Sequence, residues 1–221
     1  MREGLRVLVV DFGGQYAHLI ARRCRELGVY SEIVDPELVG RELEKGGVGG
    51  VIFSGGPRSV FEPGAPSIDL EPILRRGVPI LGICYGHQLL AKLLGGRVEA
   101  GRFREYGRTR VEVVEYDELL DGLPRRFNVW MSHGDAVVGT PPGFRVTSRS
   151  EGGIVTSMSD GSRRIYSTQF HPEVVHTEHG KKILGNFLEK ICGIKPWWSP
   201  GDRIGEIVEE IRRTVPEGER V

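Results

Sequence analysis

An α/β architecture, an open and mostly parallel twisted sheet with helices on both faces, is what this sequence predicts. Three observations predict it. Short continuous apolar runs, of the kind buried on both sides, recur through the first half. Each is followed by a stretch with apolar residues near helical spacing. Glycines, alone or before proline, punctuate the boundaries. Alternation of that kind makes a parallel sheet, because each crossover returns the chain in its original direction.

Residues 5–10 are the first run, and Asp11-Phe12-Gly13-Gly14 turns them into a tight loop. Residues 16–27 carry Leu19, Ile20, Cys24 and Leu27 at helical spacing, and Gly28 stops them. A second strand at 29–34 and a short helix at 38–45 follow. The third strand, 51–54, runs into Gly55-Gly56-Pro57. A helix over 68–76 ends at Gly77, a fourth buried strand spans 79–83, and a helix over 87–94 closes on Gly95-Gly96. The second half changes character. Strand signals at 110–114, 129–131, 144–147, 154–157 and 165–170 are separated by Gly, Pro and Asp turns, which predicts additional short antiparallel strands. A helix over 178–192 places Ile183, Leu184, Phe187, Leu188 and Ile191 on one face. The Pro- and Trp-rich stretch 195–201 reads as a boundary. The chain then divides into a domain over 1–195 and a tail over 196–221, where Ile204, Ile207, Val208 and Ile211 mark an amphipathic helix. Trp197 and Trp198 either pack on the domain surface or meet a partner.

Composition narrows the function classes. The 221 residues suit one sizeable domain with an appendage. Hydrophobic content of 39% and charged content of 27% are those of an ordinary globular chain rather than a disordered one. Thirty basic residues balance thirty acidic ones, so nothing predicts attraction to nucleic acid or to a membrane surface. No apolar run approaches the roughly 18 residues of a membrane helix, and the N-terminus enters a strand pattern with no signal-peptide features. Three scattered cysteines fit a reducing, cytoplasmic setting better than a disulfide framework. No Cys-x-x-Cys or His-x-x-x-His pair suggests zinc, and no metal ligand is expected.

Chemistry concentrates at Gly82-Ile83-Cys84-Tyr85-Gly86, between a buried strand and a helix. This is a Gly-x-nucleophile-x-Gly elbow with cysteine in the nucleophile position. Glycine on either side leaves room for a cramped backbone. The thiol then sits at a helix N-terminus, whose dipole favours thiolate. Cys24 and Cys192 fall on apolar helix stripes and read as buried packing residues. A thiolate nucleophile needs a base and a group to orient it. His171-Pro172-Glu173 follows a strand, and Glu173 can hold one imidazole nitrogen while the other faces Cys84. His133, in the turn-like Met131-Ser132-His133-Gly134-Asp135, is the main rival base; His87 lies in the elbow helix and points away from its start. Gly56, in Ser54-Gly55-Gly56-Pro57, and Tyr85 are positioned to offer two backbone N–H donors to an oxyanion. The bland alternatives are a structural cysteine, a surface His–Glu pair and a simple turn.

The set Cys84, His171 and Glu173 resembles the triad of the class I glutamine amidotransferases. The resemblance extends to Asp11-Phe12-Gly13-Gly14-Gln15-Tyr16, the Ser54 and Cys84 segments with His87-Gln88, Trp130-Met131-Ser132-His133-Gly134-Asp135, and Gln169-Phe170-His171-Pro172-Glu173-Val174-Val175-His176-Thr177. It covers most of the chain, about residues 5–192, and the last two segments point to the GMP-forming branch. The resemblance implies a flavodoxin-like sheet. It also implies hydrolysis of glutamine through a thioester on Cys84, with Gln88, Ser132, Gly134 and Asp135 among the substrate contacts. The ammonia would feed an ATP-pyrophosphatase synthetase unit that aminates XMP to GMP. ATP and Mg²⁺ belong to that partner, so no cofactor is expected in this chain. Gly14 departs from the family pattern, which often has Ser there, and is expected to stay clear of the chemistry. Two other functions remain open: a glutaminase of anthranilate, aminodeoxychorismate or carbamoyl-phosphate synthesis, and a non-catalytic binding domain on the same fold.

Overall fold

A computed structural model describes residues 4–199 and 201. The tail helix expected from Ile204 to Ile211 lies outside the described residues. Five parallel strands form one half of a single nine-stranded sheet: β1 (Arg6–Val10), β2 (Ser31–Val34), β3 (Val48–Phe53), β4 (Ile80–Ile83) and β9 (Ile165–Thr168). The other half is antiparallel: β5 (Arg97–Val113), β6 (Arg126–Gly139), β7 (Arg145–Ser150) and β8 (Val155–Asp160). The spatial order is β2-β1-β3-β4-β9-β8-β7-β5-β6. The sheet is therefore mixed as much as parallel, and β5 and β6, at 17 and 14 residues, are far longer than the short strands expected.

Burial on both faces explains the unbroken apolar runs. Along β1, Val7 and Val9 enter one core while Leu8 and Val10 enter the other. In β4, Leu81 and Ile83 join the first and Ile80 the second. The first core is covered by α1 (Ala17–Glu26), through Ala17, Ile20, Ala21 and Cys24. It is also covered by α5 (Gly180–Gly185) and the π-type turns Asn186–Ile191 that continue it. The second lies under α2 (Val39–Glu44), α3 (Glu71–Arg75) and α4 (Tyr85–Leu93). No helix among the described residues is long and apolar enough to cross a membrane.

The segment around the two tryptophans folds back on the domain. The backbone N–H groups of Trp197 and Trp198 both donate to the Gly28 carbonyl at 2.9 Å, and Trp197 Nε1 donates to Leu5 O at 3.2 Å. These contacts lie at the N-terminal edge of the parallel strands. The opposite edge, where β1, β3, β4 and β9 end side by side, is the usual place for a site in an open α/β sheet.

Candidate active site

A cleft of about 320 Å³ opens at that edge, lined by Gly13, Gly14, Gln15, Tyr16, Gly55, Gly56, Pro57, Cys84, Ser132 and His171. Three of its walls are the loops that leave β1, β3 and β4, and His171 lies three residues beyond the end of β9.

Cys84 joins β4 to α4 with φ 52° and ψ −101°, a conformation that costs an L-residue about 1–3 kcal/mol. The neighbouring glycines let the bend close. A Cβ on Gly82 would stand 2.7 Å from the Gly86 carbonyl oxygen, and one on Gly86 would stand 2.7 Å from that of Phe53. The bend is tied down by Cys84 N–H donating to Thr168 O at 2.8 Å and Gly86 N–H to Ser54 O at 3.2 Å. The sulfur lies 3.6 Å from Ser132 O, at 5% exposure for the residue.

His171 and Glu173 follow β9 and are zipped onto β6. His171 N–H donates to Trp130 O at 3.2 Å, Trp130 N–H to Thr177 Oγ1 at 3.0 Å, and Glu178 N–H to Asn128 O at 2.9 Å. His171 Nδ1 and Glu173 Oε1 are 2.7 Å apart in a fully buried pair. Burial alone would depress the imidazolium. The Glu173 carboxylate, then the charge and hydrogen bond of Cys84, outweigh it and hold the His171 pKa well above its ordinary value. The ring of Tyr16 meets the imidazole edge to face, centroids 5.2 Å apart. Arg23 Nε donates to the Glu173 carbonyl at 3.0 Å, anchoring the loop to α1. Carboxylate, imidazole and thiol are thus brought together at one end of the sheet, Glu173 hydrogen-bonded to the imidazole and Cys84 close enough to raise its pKa, an arrangement able to pass one proton.

Gly56 lies directly beside the elbow: a Cβ on it would be 3.1 Å from Tyr85 Cγ. The Gly56 and Tyr85 amides donate to no acceptor among the described residues, so both remain available to a ligand. Gly14, expected to keep clear of the chemistry, lines the cleft, and a Cβ there would stand 2.3 Å from the Gly55 carbonyl oxygen.

The four residues expected to hold substrate separate in space. Ser132 lines the cleft. Gln88 is buried beneath it, its Nε2 shared between Asp135 O at 2.9 Å and Gln169 Oε1 at 3.2 Å. The Asp135 carboxylate accepts from Ser59 Oγ at 2.5 Å, which clips the loop after β3 to β6. Gly134 lies near Tyr106, whose hydroxyl would stand 3.7 Å from a Cβ placed on it. The rival histidines are committed elsewhere. His133 Nδ1 faces Asp135 O at 2.8 Å and Nε2 faces Glu105. His87 is fully buried on Ser167 Oγ, and burial with the nearby His133 lowers its pKa to about 3. Cys24 and Cys192 are both buried; desolvation pushes the Cys24 thiol to about 12 and Cys192 upward as well, so neither ionises readily. Sequence reasoning overlooked Gln15, Tyr16 and Pro57 as lining residues. Their position just after β1 and β3, at the C-terminal edge of a parallel sheet, was the signal that could have found them.

Comparison with known proteins gives concordant matches. A sequence model of the family described as "Glutamine amidotransferase class-I" matches residues 8–191. The chain is 54% identical over 214 residues to a Pyrobaculum aerophilum protein named GMP synthase [glutamine-hydrolyzing], covering 97% of this chain and 42% of that one. It is 49% identical over 209 residues to the protein of the same name from Aquifex aeolicus, covering 95% and 41%. The chain thus spans about two fifths of the length of the curated relatives it matches. Among solved structures, a Thermoplasma acidophilum protein described as a candidate component of GMP synthase superposes with a TM-score of 0.78 at 34% identity, covering 95% of this chain and 100% of that one. A Thermotoga maritima glutamine amidotransferase shares the fold, with a TM-score of 0.69 at 23% identity over 86% of this chain and 99% of that one.

Proposed function

The chain belongs to the class I glutamine amidotransferases, and from that premise we propose that it hydrolyses glutamine and hands the ammonia to an ATP-pyrophosphatase synthetase unit that converts XMP to GMP. The observation that carries the reading is the 2.7 Å His171–Glu173 pair, with the imidazole pKa raised partly by Cys84, at a strained elbow.

In this reading the Cys84 thiolate attacks the carboxamide carbon of glutamine. The carbonyl oxygen becomes an oxyanion facing the amides of Gly56 and Tyr85. The His171 imidazolium gives its proton to the leaving nitrogen, the carbon–nitrogen bond breaks, and ammonia departs from a thioester on Cys84. Water then attacks the thioester, its proton passes to His171, and glutamate leaves as the thiolate returns. Glu173 keeps the imidazole in one tautomer and stabilises its cationic form. Ser132 meets the substrate directly. Gln88, Gly134 and Asp135 shape the β6 side of the pocket. ATP and Mg²⁺ act in the synthetase unit, and this chain needs no cofactor of its own. A cytoplasmic setting keeps Cys84 reduced.

The test mixes the chain with a synthetase unit, XMP and ATP-Mg²⁺. Replacing Cys84→Ala should abolish GMP formation from glutamine and leave formation from ammonium salts intact. Loss of both activities contradicts the reading.

A further inference from the structure

The cleft wall formed by Gly55 and Gly56 is held by a side chain that touches neither the thiol nor the imidazole. Ser54 is fully buried. Its Oγ accepts the backbone N–H of Phe12 at 3.0 Å and donates to the carbonyl oxygen of Gly55 at 2.9 Å. A hydroxyl has a single proton. With Phe12 N–H supplying the other contact, that proton is committed to Gly55.

The consequence follows from peptide geometry. The chain has no cis peptide bonds among the described residues. The Gly55 carbonyl and the Gly56 N–H therefore share one plane and point in opposite directions. Fixing the carbonyl fixes the amide. Glycine on both sides would otherwise let this plane rotate at little cost. On the other side of the same carbonyl stands Gly14, so close that a Cβ there would lie 2.3 Å from the oxygen and 3.2 Å from the Gly56 nitrogen. The carbonyl occupies a slot with Ser54 Oγ as its hydrogen-bond donor and the bare Cα of Gly14 as its wall.

We propose that Ser54 is a positioning residue which sets the direction of the Gly56 N–H and so readies the oxyanion donor before substrate arrives. The inference rests on the glutaminase reading above. Ser54→Ala removes the hydrogen bond that holds the carbonyl and leaves the lining of the cleft unchanged.

The variant is compared with the parent chain, alongside the synthetase unit, in two measurements. One is steady-state glutamine hydrolysis. The other is the rate at which iodoacetamide alkylates Cys84, a reaction that needs the thiolate but forms no oxyanion. Removal of one oxyanion donor costs on the order of 10²–10³ in kcat. Misdirecting it should lower kcat roughly 10- to 100-fold in the variant, with KM and the alkylation rate within about threefold of the parent. The proposal is overturned if the variant keeps the parent's kcat, or if alkylation falls together with kcat, which would indicate damage to the whole site. A parent chain that alkylates at Cys84 but hydrolyses no glutamine overturns the glutaminase reading itself, and this inference with it.

Discussion

Glu173 is fully buried, with Oε1 on the imidazole and Oε2 without a hydrogen-bond partner among the described residues. Its charge is therefore spent chiefly on His171. Replacing Glu173→Gln should lower the His171 pKa. In the proposed mechanism the falling alkaline limb of the pH–rate profile then moves to lower pH, and kcat/KM drops on the order of 10²-fold. The stability change has a definite sign. A histidine whose pKa is raised on folding stabilises the fold fully below its unfolded value, about 6.5, and loses that contribution as pH rises through the folded value. Urea midpoints for parent and variant should thus differ more at pH 6 than well into the alkaline range. At this scale the sequence was informative wherever a motif is local. Cys84 announced itself by its flanking glycines, and His171 with Glu173 by their spacing of two. The contacts that Tyr16 makes with His171 and Ser54 with Phe12 gave no such signal, because they exist only once the ends of β1, β3 and β9 are side by side.

The elbow shows how two elements define one backbone bend. The Gly86 Cα position touches Phe53 of β3, where an added Cβ would stand 2.6 Å from the Phe53 Cβ and 2.7 Å from its carbonyl oxygen. Gly86→Ala must lift α4 from the sheet. A destabilisation of about 1–3 kcal/mol is expected from overpacking, read as a lower urea midpoint, with slower Cys84 alkylation as the bend relaxes. The parallel strands were legible because burial on both faces leaves uninterrupted apolar runs. The β5–β6 ribbon was not. Gly101 and Gly107 each take a positive φ within a continuous strand, and the ladder shifts register between Ala100 and Glu105. Outward charges such as Arg108, Arg110 and Arg126 further masked its apolar face, which Val111, Val113, Phe127, Val129 and Met131 turn into the first core. The helix expected over 178–192 begins late because His179 is left-handed, and it ends in wider π-type turns.

Across the whole molecule, the Trp197 anchor and the cleft occupy opposite edges of the sheet, separated by the length of β1, roughly 16 Å at about 3.3 Å per residue. Trp197→Ala removes the hydrogen bond to Leu5 and part of a half-exposed ring. It should cost about 1–2 kcal/mol in urea unfolding while leaving the Cys84 alkylation rate unchanged. Fold class was readable from strand–helix alternation, but strand order was not. β9 enters beside β4 after some eighty intervening residues, and only tertiary pairing selects that neighbour.

Within that architecture β6 plays more than a scaffold's part. Trp130 O holds the backbone of His171, Ser132 O approaches the sulfur of Cys84, and Asp135 clips the loop bearing Gly56 through Ser59. These attachments fall within six consecutive residues on the outermost strand of the sheet, which has a neighbour on one side only. A tug on that ribbon, transmitted along its own length, would reach His171, Cys84 and the loop after β3 in a single stroke.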